Sequence, residues 1–168
     1  MKMRVAGFNP NDFTNGIGVT VSLFLQGCPH HCPGCQNPET WRPDAVVETP
    51  FEMVLNQVLL AIPANGIMRN LAISGGDPLV SYNYDSTVAL VQAVKEKYPD
   101  IKIFIWTGFT YEEIFPLLEP FDDLSNIYLI TDPFILAERD ITLALRGSRN
   151  QRVWLLPNTN ITSSFDNK

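Results

Sequence analysis

Two kinds of hydrophobic spacing run along this chain of 168 residues. Val19-Thr20-Val21-Ser22-Leu23-Phe24-Leu25 alternates and is rich in β-branched positions, the pattern of a strand with one buried face. Short apolar runs at residues 3–8, 71–74, 101–106, 127–130 and 153–156 predict further strands. Between them the spacing turns helical. Phe51, Val54, Leu55, Val58, Leu59 and Ile62 mark one apolar face, and Tyr84, Val88, Val91 and Val94 mark a second. Thr49-Pro50-Phe51-Glu52 and Thr110-Tyr111-Glu112-Glu113 read as capping boxes, the first with proline at the first helical position. Pro63 and Gly66 end the first helix and Tyr98-Pro99 the second, while Pro116 breaks or kinks the third by removing an interior hydrogen bond. Residues 36–48 read as irregular, 134–145 as partly helical, and 157–168 as a loose polar tail.

Strands alternating with helices predict an α/β fold with a mainly parallel sheet of about five strands. Right-handed crossovers leave an open sheet or a partial barrel. The length suits one domain over residues 1–168, with no repeats or linkers. The pattern breaks in a regular way. A cysteine-rich loop, Gly75-Gly76-Asp77-Pro78, Thr107-Gly108 and Thr131-Asp132-Pro133 each follow a strand. In parallel α/β sheets the carboxyl ends of the strands carry the active site, so these stretches are expected on one rim. Asn15-Gly16-Ile17-Gly18 reads as a turn or as a place of close backbone approach.

Composition narrows the classes. A net charge of −6 argues against non-specific nucleic-acid binding. No apolar run reaches the length of a membrane span, and the first residues lack the apolar core of a signal peptide, so a cytoplasmic location is expected. The 3 cysteines cannot make a complete disulfide framework. All lie in Gly27-Cys28-Pro29-His30-His31-Cys32-Pro33-Gly34-Cys35, at C-x3-C-x2-C spacing. Thiolates so placed select zinc, Cu(I) or an iron–sulfur cluster. A zinc site would take His30 or His31 as the fourth ligand. Against it, all ligands come from one loop, and a full α/β core needs no metal to fold. A 4Fe–4S cluster on three cysteines would instead leave one iron open for chemistry. Residues 146–152, with three arginines among Gly, Ser, Asn and Gln, form a loop suited to phosphate or carboxylate, or simply a solvated one.

Taken together, the motifs resemble the radical S-adenosylmethionine (SAM) enzymes, and within them the activating proteins of anaerobic ribonucleoside-triphosphate reductases. The resemblance rests on Asn15-Gly16-Ile17-Gly18, residues 21–28, residues 32–41, Ser74-Gly75-Gly76-Asp77-Pro78-Leu79, Trp106-Thr107-Gly108-Phe109 and residues 146–152. It implies a partial (βα) barrel and one 4Fe–4S cluster on Cys28, Cys32 and Cys35, with SAM on the fourth iron. It implies that Gly75, Gly76 and Asp77 border the methionyl amino group, that Gly34 and Gln36, flanking Cys35, lie against the nucleoside, and that Thr107 and Asp132 contact ribose or amino groups. The implied reaction is reductive cleavage of SAM and formation of a glycyl radical on the partner reductase, with a one-electron donor such as flavodoxin. The segment holding Gly16 and Gly18 would line the entry for that partner. The chain departs from the family pattern in having Thr20 where an arginine is usual, Pro133 where a glycine follows the aspartate, and Gly34 where many members carry an aromatic residue. The alternatives are an activating enzyme for another glycyl-radical enzyme of the pyruvate formate-lyase type, against which residues 146–152 argue, and a non-catalytic zinc-binding module.

Overall fold

The computed structural model describes residues 1–166. Strand β1 (Lys2–Met3) is followed by β2 (Val5–Asp12) and β3 (Thr20–Leu25), and then by the cysteine loop. After β4 (Thr49–Pro50) come α1 (Phe51–Ala61), β5 (Asn70–Gly75), α2 (Ser81–Lys97) and β6 (Ile103–Trp106). The chain continues through α3 (Tyr111–Ile114), β7 (Ile127–Thr131), β8 (Arg152–Leu155) and β9 (Thr159–Asn160). The fold is mixed α/β. One sheet of 7 strands has the order β2-β3-β5-β6-β7-β8-β9. Its centre, β3 to β7, is parallel, while β2, β8 and β9 are antiparallel. The expected strands are present, and the sheet is wider than the five anticipated because both ends of the chain add to it.

Alternation along the strands separates the two faces. Val21, Leu23, Leu25, Leu71, Ile73, Ile103, Ile105, Ile127 and Leu129 form one core with Val54 and Val58 of α1, Leu90, Val91 and Val94 of α2, and Ile114 of α3. The opposite face is covered by loops and the end of the chain. There Phe104, Ile130 and Val153 pack with Phe165, and with Ile17, Ala144 and Leu145 at the margin. Helices on one side and loops on the other leave the second face open enough for a cleft.

Several local expectations change. Asn9-Pro10-Asn11-Asp12 has the composition of a turn, yet it lies inside β2, where Pro10 is tolerated because β2 is an edge strand with an irregular register between Asn9 and Asp12. The capping box at Thr49 does not form. Thr49 pairs with Met3, Pro50 occupies the cap position, and the N–H of Phe51 is satisfied by the carbonyl of Met1 at 3.1 Å. The box at Thr110 and Glu113 does form, and Pro116 then turns the chain into a short 3-10 helix. Residues 134–145 hold only the 3-10 turn Leu136–Glu138. The stretch expected as a loose tail carries β9 and the 3-10 turn Thr162–Phe165, and Phe165 is buried. Residues 167–168 lie outside the described residues.

Candidate functional site

The cysteine loop leaves β3 at Gln26 and Gly27. Gln26 Nε2 donates to the carbonyls of Glu39 and Arg42, and the N–H groups of Gly27 and Cys28 donate to the carbonyls of Thr40 and Trp41. The loop is thereby closed at its base. Inside it, Cys35 N–H donates to the Cys32 carbonyl at 3.0 Å, and His31, with φ 47°, stacks on Trp41. Cys28, Cys32 and Cys35 are all free and half-buried.

The end of β5 clamps this loop from the side. Gly76 N–H donates to the Leu25 carbonyl at 2.7 Å, and Asp77 N–H donates to the Gly27 carbonyl at 2.8 Å. Gly75 has φ +90°, and a Cβ there would meet the Leu25 carbonyl oxygen at 2.7 Å. The two glycines therefore allow one backbone to lie against another, beneath the cysteines.

Asp77, 1% exposed, joins three strand ends. Its carboxylate accepts from Leu79 N–H at 2.8 Å and from Gly108 N–H at 2.9 Å, Thr107 Oγ1 lies 3.0 and 2.9 Å from its two oxygens, and His30 Nε2 lies 2.7 Å from Oδ2. His30 also meets Phe109 edge-on with ring centroids 4.5 Å apart. The Asp77 backbone carbonyl accepts from Asn83 Nδ2, which also reaches the Gln26 carbonyl. A buried carboxylate needs such donors to offset lost hydration.

A cleft of two adjoining lobes opens above this framework. One, of about 130 Å³, is lined by Cys28, Cys32 and Cys35 together with Gly75, Gly76 and Asp77. Thr107 and Asp132 also border it, so residues from the four strand ends meet there. The second lobe, about 270 Å³, is bounded by Thr14, Asn15, Gln36, Trp106 and Arg146. Cys35, Ser74, Trp106, Phe134 and Gln151 line both.

The donor set suits a cluster better than a single ion. Among the described residues, no three His, Cys, Asp or Glu side chains are grouped to hold one metal ion. The cysteines of a cluster each bind a different iron and need not converge on one point. Burial pushes the Cys28 thiol up to about 11, and the nearby Asp77 and Cys32 add to this, although the backbone N–H groups of His30 and His31 act in the other direction. Ligation to a metal would deprotonate it outright. Asn37 N–H lies 3.4 Å from Cys35 Sγ and can donate to it.

Residues 14–154 match the family model described as "4Fe-4S single cluster domain". The chain is 36% identical over 153 residues to the anaerobic ribonucleoside-triphosphate reductase-activating protein of Salmonella typhimurium, covering 90% of this chain and 97% of the relative. It is 36% identical over 154 residues to the Haemophilus influenzae protein of the same name, covering 89% and 96%, and 35% identical over 145 residues to that of Enterobacteria phage T4, covering 86% and 89%. The chain belongs to the family of anaerobic ribonucleoside-triphosphate reductase-activating proteins.

Within this family frame, the residues expected around SAM fall into two groups. Cys35, Gln36, Gly75 and Gly76 line the cleft, while Gly34, with φ +79°, is next to Cys35 in the loop and packs under Leu136 without lining either lobe. Asp77, Thr107 and Asp132 are already engaged with the protein. Asp132, φ 80°, accepts from Thr131 Oγ1 at 2.7 Å and from Arg152 through Nε at 2.9 Å and Nη2 at 3.0 Å. Arg152 also forks onto Glu112, which holds the Glu112 carboxyl down to about 2. Thr20, standing where the family usually has arginine, is buried and donates to the Asn15 carbonyl at 2.7 Å, so it shapes the turn that walls the second lobe. His30, which a zinc site would take as its fourth ligand, lies against the Asp77 carboxylate. Its role as partner of Asp77 has no signal in sequence, because the two lie 47 residues apart.

Proposed function

We propose that this chain activates an anaerobic ribonucleoside-triphosphate reductase by cleaving SAM reductively and generating a glycyl radical on that partner. One observation carries the reading: three half-buried cysteines from a single loop line a lobe that continues into a larger, mostly polar one. Cys28, Cys32 and Cys35 would hold three irons of a 4Fe–4S cluster and leave the fourth for the amino and carboxylate groups of SAM. Held there and reduced, such a cluster would supply the one-electron cleavage of the SAM sulfonium, which would release methionine and provide the oxidising equivalent for a glycyl radical on the reductase.

The protein's part is placement. The Gly75–Gly76 strap and the Asp77–His30 contact hold the cysteine loop against the sheet. Gly75 and Gly76 leave the lobe floor free of side chains, where the methionyl amino group would lie. Gly34 and Gln36, beside Cys35, would face the nucleoside. Asp77, Thr107 and Asp132 act by fixing strand ends, with backbone edges near SAM. In this reading the open sheet curves as the partial (βα) barrel of radical SAM enzymes, within a single domain. No helix among the described residues is long and apolar enough to cross a membrane. A cytoplasmic setting with a flavodoxin-type donor fits the reaction.

The test is reconstitution with iron and sulfide without air. The expected product is a brown protein with about four irons per chain. It should form 5′-deoxyadenosine and methionine under reduction and raise a glycyl-radical signal on the reductase but not on a pyruvate formate-lyase. An iron-free protein loaded with zinc would sink the proposal, as would SAM cleavage that survives Cys28→Ala, Cys32→Ala or Cys35→Ala.

A further inference from the structure

Arg146 is buried in the wall of the second lobe, with its side chain only 2% exposed. Its Nη1 donates to the Gln151 carbonyl at 3.3 Å, and its Nη2 pairs with Asp166 near the end of the chain. Its Nε is buried and has no partner among the described residues. A buried donor left unpaired costs free energy, and this one, closed to solvent, gains an acceptor from the lobe when the side chain shifts toward it.

Charge decides what kind of acceptor. Arg146 is the one charged side chain among the described residues lining this lobe, and its rim otherwise offers neutral amides and hydroxyls such as Asn15, Gln36 and Ser74. Asp166 offsets the guanidinium. The lobe therefore carries a directional donor without a net positive charge, which suits a sugar hydroxyl or base nitrogen and not a phosphate. Trp106 and Phe134 provide apolar ring surface beside it.

The geometry of Arg146 is set from outside the lobe. Phe165 packs with Phe104, Ile130 and Val153 behind the sheet, and Asp166 follows it directly. The end of the chain thus acts as a strap that brings a counter-charge to Arg146.

We propose that Arg146 is a binding residue for the uncharged adenosyl part of SAM, and that Asp166 is the positioning residue that makes the lobe prefer a nucleoside over a nucleotide. The proposal rests on the SAM reading above.

The test uses the full chain, with and without reconstituted cluster. Dissociation constants for SAM, 5′-deoxyadenosine and AMP are measured by equilibrium dialysis. The wild type should bind SAM and 5′-deoxyadenosine and bind AMP more weakly. Arg146→Lys keeps the charge and loses the Nε donor, and should weaken SAM and 5′-deoxyadenosine by about 10–100-fold. Asp166→Asn leaves Arg146 uncompensated at a half-exposed position, and should move the preference toward AMP by about two- to fivefold. Wild-type affinities in an Arg146→Lys protein of unchanged melting temperature would overturn the binding role. An unchanged ratio of AMP to 5′-deoxyadenosine in Asp166→Asn would overturn the charge balance, and this arm stands even if Arg146→Lys does not fold. Nucleoside binding that depends on Arg146, without SAM binding by the reconstituted wild type, would sink the SAM reading and leave the lobe assignment intact. Binding of none of the three ligands by the wild type would sink both.

Discussion

The carbonyl oxygen of Gly27 lies 2.5 Å from the place a Cβ on Gly76 would occupy. That contact is made between the first turn of the cysteine loop and the end of a neighbouring parallel strand. It means that the position of Cys28 depends on a residue 48 places later in the chain, through backbone atoms that cannot move aside without breaking the hydrogen bonds from Gly76 to Leu25 and from Asp77 to Gly27.

Gly76→Ala should therefore displace the loop or strain it, at a cost of about 1–3 kcal/mol. Gly7→Ala is the control, because a Cβ there would meet only Phe24 side-chain atoms, the nearest at an ordinary 3.6 Å. Urea denaturation and iron content after reconstitution check both. The expected outcome is lower stability and lower iron in Gly76→Ala, with Gly7→Ala close to wild type. Equal behaviour of the two would mean that the strap does not hold the loop.

Asp77 and His30 should be coupled. Asp77→Asn turns part of a fully accepting carboxylate into a donor facing other donors, and should cost about 2–3 kcal/mol. A double-mutant cycle with His30→Ala isolates the pair, and a coupling of about 1 kcal/mol or more is expected. A coupling near zero would show that His30 only rests against the site.

Asp132 separates a structural from a binding role. Its bidentate pair with Arg152 predicts that Asp132→Asn lowers stability by about 1.5–3 kcal/mol, while asparagine still tolerates the positive φ. The dissociation constant for SAM should stay within about twofold of wild type, well below the tenfold that 1.4 kcal/mol represents. A large loss of SAM affinity with unchanged stability would reverse the assignment.

Asp12 gives the pH dependence of the turn that walls the second lobe. Burial alone would raise its pKa, but donors from Asn15, Ser22 and Thr14 outweigh burial and hold the carboxyl well below the usual carboxylate range. With the folded value below the unfolded value of about 4, the stabilisation is complete above pH ~4 and is lost as pH falls toward the folded value. Asp12→Asn should melt below wild type at pH 7, and the gap should narrow as pH falls from 4 to 3. A gap that is constant across this range would remove Asp12 from the account.

Much of this site could be read along the chain. The alternation of residues 19–25 and the short runs after it specify strands because a period of two puts one face into the core. Gly75-Gly76, Thr107-Gly108 and Thr131-Asp132-Pro133 end those strands because glycine and proline cannot continue them well. In a parallel arrangement, strand ends share an edge, so the convergence of the cysteines with these turns followed from order alone. The capping box at Thr110 was legible for the same reason: all of its partners lie within one turn.

What only the tertiary structure decided lies at long separation. Thr49 has the right neighbours for a cap, yet pairing with Met3 and the carbonyl of Met1 take over its work. Pro10 signals a turn, and an edge strand accommodates it because one side of β2 has no sheet partner. The close approach that Gly75 and Gly76 permit is first of all to the backbone of the cysteine loop, and Asp77 spends its oxygens on Thr107, Gly108, Leu79 and His30. Asp166 returns to Arg146 only because Phe165 finds a place behind the sheet. Spacing along a sequence reports which face a residue shows. It does not report which distant backbone or charge meets that face, since that is set by competition for burial across the whole sheet.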